Sequence, residues 1–285
     1  MPARAVLRGA GALVLAGSCG LAGAQAGADE ALVQAIAAAR ERGCQGRAGV
    51  RAPLRTEPRL AEAARRIAAG EPALQAMRQA GFRAKSFAQV QLNGYPSPAA
   101  VAGALAARYC EPLTNPALSA MGLHRRGTSY WIVLAAPFHP PAPSQARDVA
   151  AQVLALSNQA RSQPRRCGNR SFAAAPPLQA DARLDRAAAV HAQDMARHGY
   201  LGHRGRDGSG ADRRVTRAGY AWRSVGENIA SGQQTAREVV RDWLASPTHC
   251  ANLMSPRFTQ MGIAYAVNPA SPDGSYWAQV LARPR

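Results

Sequence analysis

The chain predicts an α+β sandwich, and it predicts that fold twice. In its last third, segments with helical apolar spacing precede two strand-like runs joined by turn formers, the order of an α+β domain. The first half repeats these pieces in the same order, and a Pro-rich stretch separates the two sets.

The elements follow in turn. Residues 31–42 and 59–69 are helical in pattern, 98–109 form a third helix, and 130–135 read as a closing strand. Pro137-Phe138-His139-Pro140-Pro141-Ala142-Pro143-Ser144 continues neither a helix nor a central strand and reads as a spacer. Residues 148–163 then start a second set with Val149, Val153, Leu154 and Leu156 at helical spacing. In 181–198, Leu184, Ala188, His191 and Met195 share a face, and Gly199 stops the helix. Thr235-Ala236-Arg237-Glu238 is a capping box ahead of the stripe Val239, Val240, Trp243, Leu244, which must end before Pro247. Residues 261–267 and 275–282 are strands, with Asn268-Pro269 and Asp273-Gly274 between them. The expected division is 1–26 a signal peptide, 29–138 a first domain, 139–147 a linker and 148–285 a second domain.

The repeat has local detail. Residues 80–94 track 218–232 without a gap, Cys110 falls opposite Cys250, and Met121-Gly122 opposite Met261-Gly262. Ser129-Tyr130-Trp131 reads as the counterpart of Ser275-Tyr276-Trp277.

Arg4 and Arg8 ahead of the apolar run 9–21, then small residues at 22–26, have the composition of a secretion signal. The run is too short for a comfortable membrane span, so a secreted or periplasmic protein is expected. Ala16-Gly17-Ser18-Cys19 resembles a lipobox without its usual Leu. Cys19 is then either a lipid anchor or is discarded with the signal. The other four cysteines fall two per half, Cys44 with Cys110 and Cys167 with Cys250. One disulfide in each half suits an oxidising compartment, each worth about 3–4 kcal/mol in the chain-entropy model. The balance is basic, 35 Lys and Arg against 17 Asp and Glu, which favours either polyanions or simple solubility. The arginines are scattered, without a dense cluster or interleaved aromatics, which argues against a nucleic-acid partner.

The second half also carries His191-Ala192-Gln193-Asp194-Met195-Ala196, Leu201-Gly202-His203, Gly226-Glu227-Asn228-Ile229-Ala230, Ser246-Pro247-Thr248-His249, Asn252-Leu253-Met254 and Met261-Gly262-Ile263. In this order and spacing, residues 148–282 resemble the CAP superfamily of cysteine-rich secretory proteins, antigen 5 and pathogenesis-related 1, most of all its bacterial secreted branch. The first half looks like a degenerate copy. The resemblance implies two tandem α-β-α sandwich domains, each with a central antiparallel sheet. It also implies a cleft whose histidines are His203 and His249 and whose acid is Glu227. The family's usual second acid, three positions after the helix Trp, is Ser246 here, and Asp242, nearby in sequence, adjoins Trp243.

Two imidazoles with open positions suit zinc or another divalent cation, held weakly because a closed zinc site takes four protein ligands. Glu227 either orients an imidazole or takes a proton from a metal-bound water. Asn228 is expected to brace a loop through its amide. His191 reads as a buried histidine bonded to backbone in preference to a further ligand, and Trp222, Trp243 and Trp277 as core or cleft wall. Opposite Glu227 the first half has Gln89, and opposite His249 it has Tyr109, so that half is expected to bind no metal. The expected function is a non-enzymatic binding module for a lipid, protein or envelope polymer. A metal-assisted hydrolase acting on peptides or envelope material, with Glu227 as base, is the alternative. Thiol titration of the oxidised protein should find no free thiol at Cys44, Cys110, Cys167 or Cys250.

Overall fold

A computed structural model describes residues 19–271 and 273–285, with side chains from Asp29 onward. The basic n-region and most of the apolar run lie outside the described residues, as does the side chain of Cys19. The chain divides into two compact units, Met1–Pro137 and Phe138–Arg285.

The first unit runs α1 (Cys19–Arg42), β1 (Arg55–Thr56), α2 (Pro58–Ala68), α3 (Ala73–Gln79), β2 (Ala84–Leu92), α4 (Pro98–Arg108), α5 (Cys110–Leu113), β3 (Ala120–Arg126) and β4 (Ser129–Pro137). The second runs α6 (Ala146–Arg161), β5 (Arg165–Cys167), β6 (Arg170–Phe172), β7 (Gln179–Ala180), α7 (Ala182–His198), α8 (Ala211–Arg217), β8 (Trp222–Ser231), α9 (Ala236–Ala245), α10 (Pro247–Met254), β9 (Gln260–Val267) and β10 (Ser275–Pro284). The Pro-rich stretch contains a 3-10 turn at Pro143–Gln145 that leads straight into α6.

Each unit holds a four-stranded sheet of the same order, β1-β3-β4-β2 and β7-β9-β10-β8. The sheets are antiparallel except for the first strand of each, a two-residue segment parallel to its neighbour. Helices cover both faces. In the second unit α6 and α9 pack Val149, Val153, Val239, Val240 and Trp243 against Trp277 and Leu281, while α7 and α8 pack Leu184, Ala188, Met195 and Val215 against Tyr276, Ala278 and Val280. Asp181 caps α7 through the Arg183 N–H, and Gly199, at φ 64°, ends it. Thr235 caps α9 by accepting from the Glu238 N–H. The Glu238 carboxylate reaches the Gln234 N–H, one residue before the expected capping-box position.

Two details depart from the sequence expectation. Residues 222–231 are a ten-residue strand on the sheet edge, whose alternation is masked by Gly226, Glu227 and Asn228. The aromatic counterparts are also displaced by one. Gly122 pairs with Val133 and Gly262 with Val280, which sets Tyr130, not Trp131, at the position of Trp277. A one-residue slip reverses faces, so Trp131 packs with α2 and α3, whereas Trp277 packs on the α6 side.

The register is fixed by close approach. A Cβ on Gly262 would lie 2.1 Å from the Leu184 carbonyl carbon, and one on Gly122 equally near that of Leu60. Helix and strand backbones meet there with no room for a side chain. Disulfides Cys44–Cys110 and Cys167–Cys250 close each unit. A buried arginine sits beside each: Arg40 donates to the carbonyls of Leu113 and Asn115, and Arg161 to those of Leu253, Ser255 and Phe258. These carbonyls follow the second cysteine of each pair. Gly262→Ala should destabilise the protein by at least about 1–3 kcal/mol of overpacking, read as a lower urea midpoint.

Candidate functional site

The site straddles the edge strand β8. Successive strand residues point to opposite faces. Glu227 therefore faces α7 and α8, while Asn228 faces α10. Gly226 lies beside them because a Cβ there would come within 2.6 Å of the Phe258 ring.

On the first face, Glu227 is buried and both of its oxygens are committed. His203, on the loop after α7, donates from Nδ1 to Glu227 Oε1 at 2.9 Å. Arg214, buried on α8, donates to Oε2 at 2.7 Å. Arg214 also donates to the carbonyls of Ser209 and His203, so it ties the His203 loop to the carboxylate. His191 is fully buried, bonds the Gly202 carbonyl at 2.8 Å and has Nε2 3.8 Å from Glu227. It is a backbone-bonded core histidine.

On the second face, the Asn228 amide donates to the His249 carbonyl at 3.2 Å and to Gln279 Oε1 at 3.0 Å. Asn252 donates to the Glu227 carbonyl and to Asn228 Oδ1, fastening α10 to the strand. Asn228 thus sits mid-strand in a buried amide network, and the backbone its amide braces is that of α10. The first turn of α10 carries His249, half-buried and close enough to His203 for their charges to interact.

The electrostatics follow from these contacts. Burial pushes the Glu227 carboxyl up, but the His203 hydrogen bond and the Arg214 and His191 charges together hold it below its ordinary value. The hydrogen bond to Glu227 raises the pKa of His203. Burial, and then His203, lower that of His249, and burial lowers that of His191. Asp242 accepts from Arg241 and Gln233 and takes no part in the Glu227 cluster, and the Ser246 hydroxyl meets that of Thr248. Trp243 is core, its Nε1 donating to the Ile229 carbonyl, and Trp277 bonds the Gln233 carbonyl.

The profile of CAP, the cysteine-rich secretory protein family, matches residues 154–281. That segment is a CAP domain. The chain is 35% identical over 103 residues to "Uncharacterized protein YkwD" of Bacillus subtilis (strain 168), a match covering 36% of this chain and 38% of that protein. The chain thus matches well under half the length of this curated relative. Among solved structures, Na-ASP-1 is similar in fold at 11% identity and a TM-score of 0.50, covering 94% of this chain and 91% of its own. An extracellular protein containing a SCP domain from Bacillus anthracis str. Ames is 20% identical, covering 57% of this chain and 56% of its own, with a TM-score of 0.42.

Sequence reasoning missed Arg214, the counter-charge of the CAP domain's carboxylate. No motif marks it, and it is one of many arginines. In the first unit the matching positions lack this set. The row Gly122–Val133–Gln89 has the register of Gly262–Val280–Glu227, and Val90 and Ile132 pair as Asn228 and Gln279 do. Counting from the close approaches at Leu60 and Leu184, Ile67 stands where His191 does. The turn bonds Phe82 N–H to Met77 and Tyr220 N–H to Val215 place Ala76 opposite Arg214.

Removing the charge at Glu227 leaves Arg214 buried and unpaired. Glu227→Gln should therefore cost about 3–5 kcal/mol in urea unfolding, and adding Arg214→Met should recover a large share of it. Because the folded-state pKa of His203 is raised, its pairing with Glu227 stabilises fully below the unfolded value of about 6.5 and is lost as pH rises through the folded value. NMR titration should find the His203 midpoint above 6.5, and Glu227→Gln should lower it.

Proposed function

We propose that the CAP domain is an exported binding module without turnover, whose His203 and His249 together hold a divalent cation such as zinc weakly. The observation that carries this reading is the full commitment of Glu227. A general base must accept a proton, and a carboxylate bonded to both His203 and Arg214, with its pKa depressed, accepts one poorly. Its role is to orient an imidazole. With Nδ1 donating to Glu227, His203 keeps Nε2 as the ligand atom, the carboxylate–histidine arrangement that accompanies bound metals.

The donor set fits an ion that retains ligands from elsewhere. Among the described residues no group of three or more His, Cys, Asp or Glu side chains is placed to hold a metal ion, and on this reading the protein supplies two imidazoles and no more. When bound, such an ion supplies open positions to an oxygen or nitrogen of a lipid, protein or envelope polymer. Export is supported by the disulfide in each unit. No described helix is long and apolar enough to cross a membrane.

The first unit is, on this reading, a degenerate copy of the second. The shared strand order, the matching cysteine and arginine positions and the two glycine contacts support it. It kept the scaffold and lost the polar cluster as a set.

In a thermal melt of the intact protein, Zn²⁺ should raise the melting temperature, by an amount that grows with concentration as RT ln(1 + [L]/Kd). His203→Ala with His249→Ala should abolish the rise, and an unchanged response would remove the metal reading. Metal-dependent hydrolysis of peptides or envelope material that falls with Glu227→Gln would replace the binding reading with the hydrolase one.

A further inference from the structure

We propose that the outer edge of β9 takes up an extended, acidic peptide of a partner protein as an added strand, in a groove between α6 and α7. The sheet order β7-β9-β10-β8 places this edge on the far side of the sheet from β8, which carries Glu227. Nothing at this edge depends on the metal reading.

Hydrogen-bond parity along β9 leaves the edge open. The Asn268 N–H bonds the Gly274 carbonyl, and antiparallel partners exchange bonds at alternate positions from there. Ala266, Ala264 and Gly262 therefore bond β10, and the backbone groups of Val267, Tyr265, Ile263 and Met261 point outward. β7 reaches only as far as Met261, whose carbonyl accepts from the Asp181 N–H. The Ile263 N–H goes to Asp185 Oδ1 at 2.9 Å. Among the described residues no partner meets the N–H groups of Tyr265 and Val267 or the carbonyls of Ile263, Tyr265 and Val267. Donors and acceptors at alternate residues of an edge are what the backbone of one further strand pairs with.

The equivalent edge of the first unit is closed. With Gly122 in the register of Gly262, β3 has His124, Arg125 and Arg126 where β9 has Ala264, Tyr265 and Ala266. Charged side chains on an edge strand discourage pairing with other chains, and residues 263–267 carry none. The space beside β9 suits a single strand. Two cavities of about 440 and 250 Å³ follow the edge. Ala146 and Ala150 of α6 line both, and Asp185, Ala189 and Gln193 of α7 stand across from them. The Tyr265 hydroxyl donates to the Ala142 carbonyl at 2.6 Å, which fastens the chain leading into α6. Helices on both sides admit one extended chain and exclude the edge of a second sheet with its own helices. The alanines leave space for the incoming side chains. Arg147 and Asp185 are the charged side chains lining the groove. Asp185 is half-buried and bonded to β9, whereas Arg147 is exposed and has no ion-pair partner among the described residues. On a chain of formal net charge +18, Arg147 selects an acidic peptide.

The test uses the full-length, ¹⁵N-labelled, disulfide-bonded protein and two capped peptides, VEVEV and VKVKV. Each matches the length of 263–267, about 17 Å. Alternate residues share a face, so either chain direction brings the same charges to the groove. In hydrogen exchange followed by NMR, the free protein should protect the amides of Ala264 and Ala266 and leave those of Tyr265 and Val267 fast. Saturating VEVEV should slow Tyr265 and Val267 at least about tenfold, and VKVKV should bind more weakly. Arg147→Glu should reverse that order. Val267→Pro removes an outward N–H and no bond to β10, and Ala266→Arg copies the first unit's edge. Each should weaken VEVEV binding at least about fivefold, and Ala266→Arg decides the matter if Val267→Pro fails to fold. His203→Ala with His249→Ala should bind VEVEV undiminished, which separates this groove from the metal cleft. No slowing at Tyr265 and Val267 with VEVEV, an unchanged preference in Arg147→Glu, or undiminished binding in Ala266→Arg would each overturn the proposal. So would protection of both amides in the free protein that grows with its concentration, which would assign the edge to a second copy of this chain.

Discussion

The buried ion pair between Arg214 and Glu227 organises the second unit's site. Taking two opposite charges out of water is tolerated only when each satisfies the other and their remaining polar atoms find partners. Here the carboxylate also takes the His203 N–H, and the guanidinium takes two loop carbonyls. The pair therefore fixes a loop, a helix and an edge strand at one point. The histidine's ring direction follows from it, because Nδ1 has a single acceptor.

Strand alternation extends the same constraint to the other side of the sheet. Two consecutive residues of β8 face opposite layers, and each holds one histidine by a different means. Glu227 grips the His203 ring, and Asn228 grips the His249 backbone. Loss of a single member would leave a buried charge or amide unpaired, whereas replacement of the whole set by apolar groups is close to neutral. In the first unit the register position of Glu227 holds the exposed amide Gln89, and the neighbouring positions are apolar. Ile67, Ala76, Val90 and Ile132 occupy the positions of His191, Arg214, Asn228 and Gln279, and they pack with the core.

Much of this was legible in the sequence for physical reasons. Helix faces, caps and the closing strands announce themselves by periodicity and by Asp, Thr and Gly at element ends. The even split of cysteines gave the pairing. The site's own strand was the element hardest to read, because its polar residues break the alternation that marks a strand, and they are polar because of what they hold. The Tyr-Trp match misled by one residue, since composition aligns aromatic rings whereas register is set by a glycine pressed against a helix backbone. Arg214 was invisible because a buried counter-ion differs from a surface arginine only in three dimensions.

One covalent bond has a reach beyond stability. Cys250 immediately follows His249 at the start of α10, and its bond to Cys167 spans a sequence separation of 83 residues. The histidine's anchorage thus depends on the redox history of the chain. While the thiols are reduced, the short helix keeps only its Asn228 and Asn252 hydrogen bonds to β8. Oxidation adds a covalent tether one residue from that imidazole, so in an oxidising compartment a bond, as well as side-chain amides, holds the histidine's backbone.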